Sequence, residues 1–490
     1  MTTTDTTTDR DDSADAAPSA GVLAPPPVRL LDRRHLPVVA GVLALVTLAA
    51  FENRAVTTIL PTVVRHLDGW ALFGAATGAS LVTFTVAAAW SGGWTDRVGP
   101  RPVLLWGLGA FVAAQVVSAV APTMAVFVAG RAVSGAAEAL VDTSLMVLVA
   151  QALPAALRAK VFASFAAAWI LPSLLGPSVA GAVDALVGWR AVFLGPLLVA
   201  PLALLLVRPA LRRSRPGSGG AAPDAGGRAR MGASMLLAAG LAVTTFAGPL
   251  LAAPHERPLG VTVVAGGALL VAFGARLTLP RGTARLAPGV PAVIGLRLLV
   301  AAAFTGVGAV IPLMLVTTRG ATTAVAGVSL SVTGTLWAAG SWASSTEPAQ
   351  RRLSATARVR LGALLIALGA AGPVLIALDV VGLVAGMVGW AAAAAGMGIL
   401  SPTLSTELLR LAPDAEQGRA SAAQGLAIST GVALQTGVVG GVVAWLGPGV
   451  GGAAFAALMA GGAATALVAA AGAGRLTPRG PAARGAVRRP

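Results

Sequence analysis

The sequence has no cysteine, no tyrosine and few charged residues. Without cysteine it forms no disulfide and offers no thiolate to a metal or to a nucleophilic site. Only 11% of its 490 residues are charged, whereas a soluble globular domain carries about 25%. A single soluble domain is therefore excluded.

Groups that usually perform catalysis or hold cofactors are also scarce. The one lysine, Lys160, does not belong to a glycine-rich phosphate-binding loop, which argues against direct use of ATP. The three histidines, His35, His66 and His255, are scattered along the chain, which argues against a metal site. We therefore expect neither an enzyme nor a protein that needs a cofactor.

Long apolar stretches dominate what is present. Hydrophobic residues make up 56% of the chain and the mean hydropathy is +0.81. The stretches are about 20 residues long, enough to cross the hydrocarbon core of a bilayer, and they are apolar on every face, unlike the strands of a membrane barrel. The sequence predicts an all-α polytopic membrane protein with fourteen spans, at 36–62, 71–93, 103–121, 124–153, 160–185, 190–208, 231–253, 259–279, 291–317, 321–345, 359–378, 380–403, 417–445 and 448–472.

Basic residues indicate the orientation. Most of the 35 lysine and arginine residues flank the predicted spans on one side, and short basic loops stay in the cytoplasm. Both termini are therefore predicted to be cytoplasmic, and the net charge of +16 needs no nucleic-acid partner. Arginine in place of lysine and abundant alanine suggest a high-GC bacterial genome, so we expect a bacterial cytoplasmic membrane.

The spans fall into groups of six, two and six. A glycine-rich, polar segment after the sixth span is typical of a linker. A weak repeat, in which Pro154 and Lys160 correspond to Pro413 and Arg419, relates the two sets of six. The predicted organisation is a disordered tail at 1–35, a six-helix bundle at 36–208, a linker at 209–230, two inserted helices at 231–279, a second six-helix bundle at 291–472 and a basic tail at 473–490.

A compact motif follows the second span, on what we predict to be a short loop. It reads Gly-x-x-x-Asp-Arg-x-Gly-x-Arg, formed by Gly92, Asp96, Arg97, Gly99 and Arg101. Gly92 would permit close helix contact, Gly99 a tight turn, and Asp96 would place a carboxylate where it can meet a helix end or an arginine. The loop could latch two helix bundles together, or it could be a basic loop that only fixes topology.

This motif resembles the signature of the major facilitator superfamily. Further segments are similar to drug:proton antiporters of that superfamily: Arg131 to Gly135 in the fourth span, Gly188 to Phe193 before the sixth, and the fifth-span motif that contains Gly176, Pro177 and Gly181. With fourteen spans, the resemblance is to the multidrug efflux branch. It implies two six-helix bundles that alternate access around a central cavity, with a proton gradient in place of a cofactor.

Five charged residues lie inside the first and fourth predicted spans, where a charge costs about 3 kcal/mol or more and needs a partner, a wet cavity or a function. Arg131, Glu138 and Asp142 fall within an arc of roughly 40° on the fourth span, at about 100° per residue. The first span adds Glu52 and Arg54, which face different directions. The resemblance favours Glu52 for function, and the polar stripe of its helix favours Arg54 for the cavity.

Two interpretations of these charges remain open. They could be structural ion pairs, Glu52 with Arg131 and Arg54 with Glu138. Alternatively, because three carboxylates face two arginines, one acid is left unpaired and can carry a proton; Glu138 or Glu52 is the first choice and Asp142 the third.

The twelfth span, which matches the fourth by the repeat, lacks such charges, and Arg297 lies within the first two turns of the ninth span. By the repeat, Trp390 stands opposite Arg131 and Met397 opposite Glu138. The first bundle would handle protons, and the second would offer apolar and aromatic surface to substrate. For Trp390 the alternative is simple packing.

The function expected is export of lipophilic or cationic small molecules, such as drugs and antibiotics, in exchange for protons. The partners are then the substrate, protons and the lipid bilayer, and we expect a monomer. The alternatives are an exporter of one lipid, sugar or amino acid, and a membrane sensor on the same scaffold.

Overall fold

A computed structural model describes residues 36–153, 155–215, 225–413 and 416–476. The tail predicted at 1–35, the middle of the predicted linker and residues 477–490 of the basic tail lie outside these ranges. The described residues form helices and no β-strand.

Six helices form the first bundle, and they lie close to the first six predicted spans. They are α1 (Leu36–His66), α2 (Phe73–Val98), α3 (Pro100–Ala119), α4 (Met124–Ala152), α5 (Ala155–Val187) and α6 (Leu194–Arg213). The inserted segment is α7 (Ala225–Phe246), the short α8 (Gly248–Ala252) and α9 (Arg257–Thr278). Helix α6 thus continues into the predicted linker and α7 begins within it.

The second bundle repeats the arrangement, with one span divided and one short helix added. Its helices are α10 (Val290–Thr318), α11 (Thr323–Ser345), α12 (Glu347–Arg352), α13 (Ala355–Gly369), α14 (Ala371–Ala377), α15 (Leu383–Leu411), α16 (Gln417–Leu446) and α17 (Gly452–Gly472). In the described residues 13 helical segments are long and apolar enough to cross a membrane. Helix α5 adds a shorter apolar segment, Leu171–Val187. The predicted polytopic helical fold is confirmed.

Local sequence signals explain several helix ends. Thr123 caps α4, since its side chain accepts a hydrogen bond from the backbone of Val126. Gly99 alone separates α2 from α3, with φ at 86°, a conformation that favours glycine. The tight turn predicted at Gly99 is therefore present.

The bundles meet along two seams, which differ in how they are covered. Helix α5 packs against α11 along one seam, and α2 packs against α16 along the other. Helix α7 contacts both α2 and α16, and α9 packs on the outside of α7. The inserted helices therefore cover the second seam, where Gly74 and Gly440 let α2 and α16 come together.

We call the side on which α1 begins, and on which Arg97, Arg212 and Arg352 lie, the arginine-rich side. On the opposite side the bundles are in close contact, for instance where Gly181 of α5 meets the backbone of Thr323. On the arginine-rich side a Cβ atom on Gly92 would have no described neighbour within 4 Å. The close interbundle approaches at Gly181 and Gly74 therefore lie on the opposite side, and Gly92 near the arginine-rich side makes no such approach to a described residue.

Candidate functional site

A cavity of about 450 Å³ lies between the two bundles. Residues from α1, α2, α4 and α5 form one wall, and residues from α10, α11, α15 and α16 form the other. Its charged lining residues are Arg54, Arg131 and Glu138, and all three belong to the first bundle. The cavity is large enough for a small organic molecule and combines apolar walls with a few polar groups, as ligand sites usually do.

Arg131 and Glu52 form a buried ion pair at one edge of this cavity. Arg131 Nη1 donates to Glu52 Oε1, and each side chain is only 3% exposed. Ser134 Oγ also donates to the Glu52 carboxylate, at 2.8 and 2.9 Å, and Arg131 Nη2 donates to Ser80 Oγ at 2.9 Å. The structural pairing of Glu52 with Arg131 is therefore present, and Glu52 lies behind the lining and not in it.

Glu138 is placed differently from Glu52. It lies two helical turns from Arg131 on α4, lines the cavity, and accepts a hydrogen bond from Asn53 Nδ2 at 3.0 Å. Within the described ranges no arginine or lysine forms an ion pair with it. Glu138 thus lines the cavity with the Asn53 amide as a hydrogen-bond donor and the Glu52 carboxylate beside it, and no described cation forms an ion pair with it.

The other pairing considered above, Arg54 with Glu138, is not formed. Both side chains line the cavity, but among the described residues Arg54 makes no ion pair or side-chain hydrogen bond, and its Nε atom has no partner. The physical reason lies on α1, where Asn53 occupies the hydrogen-bonding position next to Glu138. Arg54 does reach the cavity, as the stripe on α1 predicts.

Asp142 is one helical turn beyond Glu138 on α4, toward the arginine-rich side. It is half-buried and absent from the cavity lining. It has no ion pair or hydrogen bond to another described side chain. The predicted track of charges along α4 therefore includes Arg131 and Glu138 at the cavity, with Asp142 outside it.

The motif of Gly92 to Arg101 does not form the loop that we predicted. Helix α2 continues to Val98 and α3 begins at Pro100, so most of the motif is helical. Asp96, Arg97 and Arg101 are exposed and make no ion pair within the described chain. The close helix contact expected at Gly92 is also absent among the described residues, since a Cβ atom there would meet none of their atoms within 4 Å.

The glycine and proline motif of α5 lies at the seam with the second bundle. Gly176 packs against Arg54 of α1, where a Cβ atom would lie 3.4 Å from that of Arg54. Pro177 and Gly181 lie against the backbone of α11, near Gly327 and Thr323 respectively. Ser178 Oγ, in the same stretch, is 2.8 Å from Ser331 Oγ of α11. This motif therefore sets how closely the two bundles approach.

The wall from the second bundle is aromatic. Phe304 stacks on Trp390 with ring centroids 4.9 Å apart, and Trp337 meets the edge of Phe304 at 5.3 Å. All three rings line the cavity. Trp390 therefore packs within a cluster and also faces the cavity, whereas Met397 is buried behind the wall.

Sequence reasoning missed two kinds of polar residue. Asn53 donates a hydrogen bond to Glu138, and Ser134 donates one to Glu52. The signal in the sequence that could have identified them is a polar residue close to an acidic one within an apolar helix. Asp184 of α5 is also buried, and it accepts a hydrogen bond from Thr62 of α1 at 2.9 Å. A carboxylate in the apolar stretch of the fifth span was a detectable signal.

Comparison with known proteins gives a family match along most of the chain. Residues 42–436 match the model of the Major Facilitator Superfamily. A probable multidrug-efflux transporter of Mycobacterium tuberculosis is 32% identical over 227 residues, which are 46% of this chain and 48% of that protein. A methylenomycin A resistance protein of Streptomyces coelicolor is 31% identical over 172 residues, 33% of this chain and 35% of that protein. The chain thus matches about half the length of the first relative and less of the second.

Solved structures share the fold at low sequence identity. A POT family transporter in complex with 5-aminolevulinic acid has a TM-score of 0.64 at 15% identity, with 89% of this chain and 95% of that chain covered. A D-xylose-proton symporter has a TM-score of 0.61 at 17% identity, with 90% of this chain and 98% of that chain covered. These likenesses concern the arrangement of helices alone.

Proposed function

The chain belongs to the major facilitator superfamily, and from this we propose that it exports lipophilic or cationic small molecules, including drugs and antibiotics, in exchange for protons. Members of this superfamily are transporters and not enzymes. The similarity to a probable multidrug-efflux transporter and to an antibiotic resistance protein supports export of drug-like compounds. The arginine-rich side would face the cytoplasm, because basic loops are retained there.

One observation carries the proposal of proton exchange. Glu138 faces the cavity with Asn53 as a hydrogen-bond partner, and no described cation forms an ion pair with it. A carboxylate in such a place can bind either a proton or a cationic substrate. Binding of the proton removes its negative charge and so lowers its affinity for the cation. Proton and substrate would then compete, so that each ligand shifts the equilibrium of the other.

Glu52 is the weaker candidate for this role. Its carboxylate already accepts hydrogen bonds from Arg131 and from Ser134, and it is almost fully buried. Taking up a proton there would leave Arg131 as a buried, unpaired cation, which is costly. We therefore assign proton exchange to Glu138 and a structural role to the pair of Glu52 with Arg131.

The cavity shown here would be the state that loads substrate from the cytoplasm. Two observations support this state: Gly181 and Gly74 approach the second bundle closely on the side opposite the arginine-rich ends, and Gly92 near those ends meets no described atom within 4 Å. Closing the arginine-rich ends and separating Gly181 from Thr323 would expose the same cavity to the other side. Because a single chain encloses the cavity, we expect a monomer to suffice.

Dye uptake into everted membrane vesicles tests this function. With a proton gradient imposed, vesicles that contain the protein should accumulate ethidium, and a protonophore should stop this accumulation. Glu138→Gln should abolish uphill uptake, whereas the matched control Asp142→Asn, one turn away and outside the cavity, should retain it. Uptake that survives both the protonophore and Glu138→Gln would contradict proton exchange at this residue.

A further inference from the structure

Arg54 is a cation in the central cavity that the proposed proton exchange does not use. It lines the cavity together with Glu138, yet no described residue gives it an ion pair, and its Nε atom has no acceptor. The other arginine in the lining, Arg131, is already bound to Glu52 and Ser80. Arg54 is therefore the guanidinium available to a ligand.

No neighbouring element supplies an anion for Arg54 in the described lining. From α5 the cavity receives Trp169, Ser173 and Pro177, which carry no charge. The lining from the second bundle consists of aromatic, aliphatic, small and threonine residues. Apart from Arg131, the charged side chain that shares this space with Arg54 is Glu138, and Asn53 already binds it.

An arginine inside a membrane protein is retained when it has a partner or a ligand, because its charge is costly there. Its planar guanidinium binds a carboxylate through two parallel hydrogen bonds. A purely cationic substrate would pair with Glu138 but would leave Arg54 without an anion and would be repelled by it. A substrate with one cationic and one acidic group would satisfy both residues.

We propose that the preferred substrate is a lipophilic zwitterion, whose cationic group pairs with Glu138 and whose carboxylate pairs with Arg54. Its apolar part lies against the rings of Trp337 and Trp390, which form the opposite wall. This inference rests on the proposed function and names the substrate class of the same cavity.

Charge balance makes such a substrate compatible with proton exchange. When Glu138 is ionised it offsets Arg54, so a zwitterion leaves the cavity neutral. A proton on Glu138 removes the partner of the cationic group, which favours release of the substrate. Exchange of one proton for one zwitterion would carry one positive charge inward per cycle.

Rhodamine B and its ethyl ester test this directly, because they share the same cationic ring system and differ in the carboxylate. Binding to the full-length protein in detergent is measured by quenching of tryptophan fluorescence. We expect the wild type to bind rhodamine B roughly tenfold more tightly than the ester, as the loss of a charged hydrogen bond implies. Arg54→Gln should bring the two affinities within about twofold, and Arg54→Lys, which keeps the charge but not the paired hydrogen bonds, should give an intermediate ratio.

Two results would overturn the inference. One is equal affinity of the wild-type protein for the ester and for the acid. This comparison does not depend on whether any variant folds. The other is an unchanged ratio of affinities in folded Arg54→Gln protein. If binding discriminates as expected but neither dye is driven into everted vesicles by a proton gradient, the proposed export function fails while the assignment of Arg54 stands.

Discussion

The two bundles have the same number of spans but present different chemistry to the cavity between them. In the described residues the first bundle supplies every charged lining residue, and the second supplies aromatic, aliphatic, small and hydroxyl-bearing ones. The polar contacts of the charged residues also stay within the first bundle: Arg131 binds Glu52 and Ser80, and Asn53 binds Glu138.

This difference has a consequence for motion. A bundle that satisfies its own charges can move against its neighbour without breaking a buried ion pair. Between the bundles, the described residues show hydrogen bonds from Ser178 to Ser331, close approaches of glycine and backbone, and apolar contacts within one hydrophobic cluster that draws on both bundles. Such contacts are individually weak. The proposed alternating access would therefore not require the free energy of separating an ion pair.

The largest expected effect is on stability, and it comes from removing one charge of the buried ion pair in the first bundle. Arg131→Met leaves Glu52 as a buried carboxylate without its cation, and it should lower the free energy of unfolding by about 3–5 kcal/mol. Denaturation in mixed micelles measures this loss. The double variant Glu52→Met with Arg131→Met should recover part of it, since neither charge remains. Equal losses for the single and double variants would mean that packing, and not charge, holds this site.

A second test moves a carboxylate from one bundle to the other. Met397 is 4% exposed in α15 and corresponds in the repeat to Glu138 of α4. Met397→Glu should destabilise the protein by about 3 kcal/mol, because it places a carboxylate at a buried position inside a membrane span. Glu138→Met, which removes a half-buried carboxylate, should cost less than half of that. Similar costs for both variants in mixed-micelle denaturation would show that the bundles tolerate charge equally.

The third test concerns the aromatic wall of the second bundle. Trp390→Leu removes a ring that lines the cavity, and a contact between a dye and such a ring is worth about 0.5–1.5 kcal/mol. We expect dye affinity to fall up to about tenfold, while the dependence of uptake on the proton gradient persists. Phe111→Leu, a buried aromatic of α3 outside the cavity, is the matched control. Loss of gradient dependence in Trp390→Leu would mean that the second bundle also takes part in proton exchange.

Much of this comparison was accessible from the sequence. Length and apolarity predicted the helices, because a bilayer leaves few alternatives for crossing it. Periodicity placed Arg131 and Glu138 on one face of α4, and it separated Arg54 from Glu52 on α1. These inferences depend on a single helix and on its 3.6-residue repeat.

The partners of these charges could not be derived in the same way. Whether Glu138 meets Arg54 or Asn53 depends on how α1 and α4 are rotated against each other, and periodicity within one helix carries no such information. The helical extension through Asp96 was missed for a related reason. Polar residues end a predicted span but need not end a helix, which can continue into water.

The smallest expected effect on stability is at the motif that joins α2 and α3. Asp96 is exposed and has no ion pair within the described residues, so Asp96→Asn should change the free energy of unfolding by no more than about 0.5 kcal/mol. Transport should nevertheless slow, because the resemblance assigns this motif to a latch that forms when the arginine-rich ends close. Gly93→Ala, three residues away and also without a described neighbour, is a control for a change on the same helix end. A marked loss of stability in Asp96→Asn would show that Asp96 acts in the open state, and unchanged stability with unchanged turnover would leave the motif with a topological role only.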